Sequence, residues 1–344
     1  MTTDLLAVVS GLPPDALNQA VPPACRRDAA PAPTPIADGP DVLVDPGPWR
    51  PRTPARHLVP AFSVLTSEPY AVRFELAAGR GGTWTPWLGT VTVGGAAFEP
   101  LPAAGDGLQT DIDFWTAAEP VEQVRLRLRL RAPRPDRVLA APWILTLSAS
   151  DLAPAGGPAE FGAGRPAQEA PGPGVRLDVP PLSQCAEAPE IAARICSPTS
   201  VAMVLAHFGC PVSPAVLAGE VYHPGLDRYG VWPAAVCAAA RRGVLGYLLR
   251  FPDWTAAAWC LARGRPIVAS VRFAAGELAG APLRQSEGHL VVLTGWDGDH
   301  VLVNDPAAPE ASTVARRYRL LDLRRVWLER GGVGYVFFRP PAGR

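Results

Sequence analysis

Cys196 opens the stretch Cys196-Ser197-Pro198-Thr199-Ser200-Val201-Ala202-Met203-Val204-Leu205, a cysteine set directly before an apolar run. Pro198 suits the first turn of a helix, where its missing N–H is not needed, and Val201, Ala202, Val204, Leu205 and Phe208 supply an apolar body. The pattern predicts a buried helix with Cys196 at its N-terminal end. There the unpaired backbone N–H groups and the positive end of the helix dipole favour thiolate over thiol, the form in which sulfur attacks. Such a nucleophile needs a base. The runs Gly288-His289-Leu290-Val291-Val292-Leu293-Thr294-Gly295-Trp296 and His300-Val301-Leu302-Val303-Asn304-Asp305-Pro306 offer one. They flank Asp297-Gly298, a two-residue hairpin signal, so His289 and Asp305 fall at the same end of the hairpin. A histidine there takes the thiol proton and a neighbouring carboxylate or amide orients its ring, the division of roles in covalent catalysis. Asn304 and Asp305 face opposite sides of one strand, so one of them is the orienter, and Asp305 is the expected one.

The competing groups are less well placed. His207 lies on the same predicted helix eleven residues beyond Cys196, roughly 16 Å along the axis at ~1.5 Å per residue. His300 sits beside the hairpin turn, His223 in the loop Tyr222-His223-Pro224-Gly225, and His57 is the only histidine of the N-terminal half. Cys185 is a second thiol, in a loop without a helix end to lower its pKa.

The order Gln184, Cys196-Ser197-Pro198-Thr199-Ser200, Gly288-His289 with its β-run to Gly295-Trp296, and Asn304-Asp305-Pro306 resembles the bacteriocin-leader-peptidase-like group of papain-fold cysteine peptidases, family thirty-nine and its stand-alone relatives. The resemblance spans roughly 176–340. It implies Cys196 as nucleophile, His289 as general base, Asp305 as orienter and Gln184 as oxyanion-hole donor beside the Cys196 N–H, with no metal or organic cofactor and a peptide or protein substrate. The family has glycine after the cysteine where this chain has Ser197, which keeps the backbone N–H and is expected to add a side chain near the substrate.

Composition sets the frame. Apolar residues make up 48% and charged residues 19% of 344 residues, which reads as globular and long enough for two domains. The net charge is zero, every basic residue is arginine, and no basic stripe with interleaved aromatics marks a nucleic-acid partner. Arg125, Arg127, Arg129 and Arg131 alternate with leucines, the signature of a strand with one wet face. The six cysteines show no CxxC pair or zinc spacing. No apolar run reaches the ~20 residues of a membrane span. The acidic start Met1-Thr2-Thr3-Asp4 differs from a secretory signal, so cytoplasmic residence is the default expectation, with export open.

Along the chain, 1–40 reads as a Pro-rich arm that begins with a short helix. Short β-like segments separated by Gly and Pro over 41–150 predict an antiparallel β-sandwich accessory domain. Within it Trp84, Trp87 and Trp115 are candidates for glycan or peptide contact through exposed indole faces. Residues 151–175 read as a linker, and 176–340 as the papain-like domain, helices first and antiparallel strands after, an α+β layout. The expected activity is that of a cysteine peptidase or related amide hydrolase working through a thioester. Two other readings use the same residues: an inactive peptide- or glycan-binding protein with a papain-like cleft, for which Ser197 is the hint, and an acyl transferase.

Overall fold

The N-terminal half builds its layers from β1 (Thr3–Ser10), β2 (Asp41–Val44), β3 (Ala55–Val64), β4 (Ala71–Arg80), β5 (Leu108–Asp111), β6 (Phe114–Val121), β7 (Gln123–Arg131) and β8 (Trp143–Ser150). In the computed structural model, which describes residues 2–13, 15–151 and 173–340, these strands pair antiparallel as β5-β6-β3-β8-β1 in one sheet and β2-β7-β4 in another. The linker expected over 151–175 lies outside the described residues except at its ends. The chain divides into two compact units, one over Met1–Pro154 with Val231–Leu248 and Arg339–Arg344, the other over Ala155–Gly230 and Leu249–Phe338.

Three expectations change here. The first residues form neither helix nor arm: β1 pairs along its length with β8, Thr3 opposite Ser150 and Ser10 opposite Trp143, burying Leu5, Leu6 and Val8. A short apolar run is ambiguous between helix and strand, and the open edge of β8 decides it. Among the short β-like segments expected over 41–150, Asp111–Trp115 is not a single strand: Ile112 and Asp113 form the turn between β5, which ends at Asp111, and β6, which starts at Phe114. The segment Val231–Leu248, expected within a continuous 176–340 domain, joins the first unit. Its helix, composed almost wholly of small apolar residues, packs on β3, where Cys237 Sγ lies 3.3 Å from the Phe62 carbonyl and Gly246 N–H donates to Ser63 Oγ at 3.0 Å.

The arginine face of β7 is not simply wet. Glu75 on β4 is fully buried and accepts from Arg73, Arg127 and Arg129 at 2.5–2.7 Å, while Arg131 pairs with Asp41 at 2.5 Å. Burial pushes the Glu75 carboxyl up, but three guanidiniums outweigh it and hold it below its ordinary value. Trp87 lies over Arg127 and Arg125 at 4.0 and 5.3 Å and Phe98 over Arg73 and Arg131. Of the three candidate tryptophans for ligand contact, Trp115 is fully buried and Trp87 caps this ion network. Trp84, 41% exposed, keeps an open indole.

The second unit places its helices α1 (Cys196–His207), α2 (Pro214–Val221) and α4 (Trp254–Leu261) before an antiparallel sheet; α3 (Trp232–Ala240) is the helix of the first unit just described. Ser213 and Asp253 cap α2 and α4 by accepting from Val216 and Ala256 N–H. The sheet runs β13-β9-β10-β11-β12, from β9 (Ile267–Phe273), β10 (Ser286–Asp297), β11 (His300–Asn304), β12 (Ala315–Arg319) and β13 (Val333–Phe338), with α5 (Leu320–Val326) following β12. No helix among the described residues is long and apolar enough to cross a membrane.

Candidate active site

Cys196 is the first residue of α1, preceded by a buried Ile195 whose side chain offers no cap. The helix is fixed one turn later, where Ser200 Oγ donates to the Leu290 carbonyl at 3.0 Å, beside His289 on β10. The sulfur is half-buried, and His289 and the backbone N–H groups of Leu290 and Ser197 are the groups that act on it. Burial pushes the thiol up, but the hydrogen bond and charge of His289, helped by those N–H groups, outweigh it and hold Cys196 below the ordinary thiol value.

His289 and Asp305 meet because the hairpin is irregular. Asp297 pairs with His300, so the loop is Gly298-Asp299, one residue later than the sequence signal. A register shift between Leu293 and Gly295 then changes the pairing to Leu293 with Val303 and Val292 with Asn304. Side chains alternate along a strand, so the shift puts His289, Leu293, Val303 and Asp305 on one face and Asn304 on the other. Asn304 accordingly donates to the Val179 carbonyl at 2.9 Å, and His289 Nε2 lies 2.8 Å from Asp305 Oδ1. Gly295 at the bulge has φ +153°, and a Cβ there would collide with the Val175 carbonyl, so only glycine fits.

The carboxylate is saturated. Asp305 Oδ1 also accepts from Ala307 N–H at 3.0 Å, and Oδ2 accepts from the Tyr318 phenol at 2.7 Å. Burial pushes the acid up, but the His289 charge and these donors hold it below the ordinary carboxylate range. Burial alone would keep His289 neutral, yet Asp305 first and Cys196 second raise it to about 10. Each partner thus favours the charged form of the other: His289 lowers the thiol, and Asp305 and Cys196 raise the imidazole. With Nε2 on Asp305, Nδ1 is the ring nitrogen left for the sulfur.

Gln184 is buried, and its segment is tied to the same turn: Gln184 N–H donates to the Pro306 carbonyl at 2.9 Å and Ser183 Oγ to that of Ala308. Its Oε1 is buried without a hydrogen-bond partner among the described residues. Cys185 is exposed, 3.7 Å from the Ala307 carbonyl. The remaining histidines are engaged elsewhere: His207 with the Asp178 and Gly264 carbonyls, His223 with the Leu226 N–H, His300 with Asp299, and His57 against Phe114. Ser197 departs from expectation. Its side chain is buried and its Oγ lies 3.2 Å from Tyr335 OH. The sequence motifs do not single out Tyr318; its one signal is an aromatic among the arginines of β12.

Residues 176–335 match the Peptidase_C39 like family. Among solved structures, a C39-like peptidase from Bacillus anthracis is 20% identical, with 49% of this chain and 98% of that one covered and a TM-score of 0.38. The peptidase domain of Streptococcus ComA, a bi-functional ABC transporter of a quorum-sensing pathway, is 18% identical, covering 43% of this chain and 93% of that one at a TM-score of 0.31. No curated protein matches the chain. The family match covers the segment that carries Cys196, His289 and Asp305 and supports a C39-like cysteine peptidase domain there.

Proposed function

We propose that Cys196, His289 and Asp305 form the catalytic triad of a papain-like peptidase that cleaves a peptide or protein substrate through a thioester. The observation that carries this reading is the buried His289–Asp305 pair, 2.8 Å apart, whose imidazole acts on the Cys196 thiol at the start of α1 and holds it below its ordinary value. The thiolate attacks the scissile carbonyl carbon, and Gln184 with the Cys196 N–H stabilises the oxyanion. His289 gives its proton to the leaving amine nitrogen as the C–N bond breaks, leaving an acyl-sulfur bond and a neutral imidazole. It then takes a proton from water, whose oxygen attacks the thioester and releases the acid and the Cys196 thiolate. Asp305 keeps the ring oriented and its charge balanced throughout.

In the same reading the two N-terminal antiparallel sheets face one another as a β-sandwich, and contact with a peptide or glycan falls to Trp84, the open indole of the three. The binding-only alternative rests on Ser197, and its buried hydroxyl is engaged with Tyr335 OH.

An activated acyl ester tests the triad without knowledge of the natural substrate. The expected result is an acyl adduct on the Cys196 peptide that hydroxylamine releases, absent in Cys196→Ser and slowed at least tenfold in His289→Ala. An adduct on Cys185 instead, or equal acylation of His289→Ala, overturns the reading. Added amine distinguishes transfer from hydrolysis by its product.

A further inference from the structure

Resting on the triad reading above, we propose that Tyr318 is a positioning residue of the site, whose phenol O–H, donated to Oδ2 of Asp305 at 2.7 Å, keeps the carboxylate ionised and turned toward His289.

Asp305 is 0% exposed, so solvent offers nothing to its oxygens. Three donors on three parts of the chain share them: His289 from β10 and Ala307 from the turn on Oδ1, and Tyr318 from β12 on Oδ2. Tyr318 alone serves Oδ2 in that set. A buried carboxylate oxygen deprived of its donor favours protonation, or rotation that exchanges it with the oxygen bonded to the imidazole. Either change weakens the hold on the ring. Tyr318 is itself 1% exposed and held by its strand, opposite Val301, while Asp305 N–H donates to the Val314 carbonyl just before β12. Donor and acceptor therefore sit on adjoining, mutually bonded segments. Burial and the Asp305 charge push the phenol far above its ordinary value, so it stays a donor wherever the enzyme works. The other groups that act on this pair are His289 from β10, Cys196 beyond it from α1, and Arg316 on β12.

The full chain is alkylated with iodoacetamide across pH, and the Cys196 peptide is quantified by mass spectrometry. Three forms are compared: the parent, Tyr318→Phe, and a protein with 4-aminophenylalanine at 318, which keeps the ring and a weaker donor. The parent reacts well below pH ~8.5, where a free thiol ionises. In Tyr318→Phe the acid limb of that profile moves up by about one pH unit, as loss of a hydrogen bond to a charged carboxylate requires, and the weaker donor gives a shift in between. If Tyr318→Phe does not fold, the 4-aminophenylalanine protein decides alone. Profiles that superimpose on a parent with an intact low-pH limb leave the triad standing and overturn the role of Tyr318. A parent that titrates like a free thiol overturns both.

Discussion

Ser197 Oγ lies 3.2 Å from Tyr335 OH, joining the second residue of the nucleophile helix to the strand β13. The residue after the cysteine therefore contributes its backbone N–H to the sulfur and its side chain to the core. Ser197→Ala should lower stability by about 1 kcal/mol, the worth of a buried hydroxyl hydrogen bond, and leave the Cys196 alkylation rate within twofold of the parent. Urea unfolding and peptide mass spectrometry read the two quantities on the same sample.

The opposed shifts of His289 and Cys196 predict a particular dependence of stability on pH. His289, raised to about 10, contributes stability that is full below its unfolded value of ~6.5 and lost as pH rises through about 10. Cys196, lowered, contributes stability that is full above ~8.5 and lost as pH falls through its folded value. Between ~6.5 and ~8.5 the two terms run in opposite senses, the His289 term falling and the Cys196 term rising with pH. Cys196→Ser keeps only the falling term. Relative to the parent it should lose stability with rising pH over that window, by up to about 1.4 kcal/mol per pH unit, measured by urea midpoints at half-unit steps.

Gln184 can be separated from the triad by choice of reaction. Alkylation by iodoacetamide displaces iodide and builds no oxyanion, whereas acylation by an ester does. Gln184→Ala should leave alkylation of Cys196 unchanged and slow acylation on the order of 10²-fold, the usual cost of one oxyanion-hole donor. Equal effects on both reactions would assign Gln184 a structural role.

In the N-terminal unit, Glu75→Gln removes the buried charge on which Arg73, Arg127 and Arg129 converge. Leaving partly buried guanidiniums without their counter-ion should cost roughly 3–5 kcal/mol. Because the carboxyl is held below its ordinary value, the parent keeps this stability above pH ~4.5 and loses it as pH falls through the folded value, while the variant shows no such loss. Thermal unfolding at pH 7 and pH 3 compares the two.

Much is legible in the chain because it depends on neighbours in sequence. A proline in the first turn and an apolar body mark α1, so the residues around Cys196 are enough to place it at a helix start. Alternating β-branched runs around a turn mark β10 and β11, which sets His289 at a strand end. The caps Ser213 and Asp253 follow from the same local rules. Where expectation and fold part, the deciding partners are remote in sequence. The run Leu5–Val9 becomes a strand because β8 offers it an edge. The arginines of β7 are covered by Glu75 of β4 and by Trp87. The helix Trp232–Ala240 belongs to the unit whose preceding stretch ends at Pro154.

The sequence by itself determined that a cysteine would open a buried helix and that a histidine and an acid would share one end of a hairpin, since helix starts and strand alternation are written in adjacent residues. Only the tertiary structure decided which side chain meets His289. Uniform alternation from the turn puts Asn304 on the histidine's face. The one-residue shift at Gly295, where the Val175 carbonyl leaves no room for a Cβ, turns Asp305 there instead and brings it against Tyr318. A bulge reverses every face beyond it, and nothing within the hairpin's own sequence announces where the neighbouring chain will press.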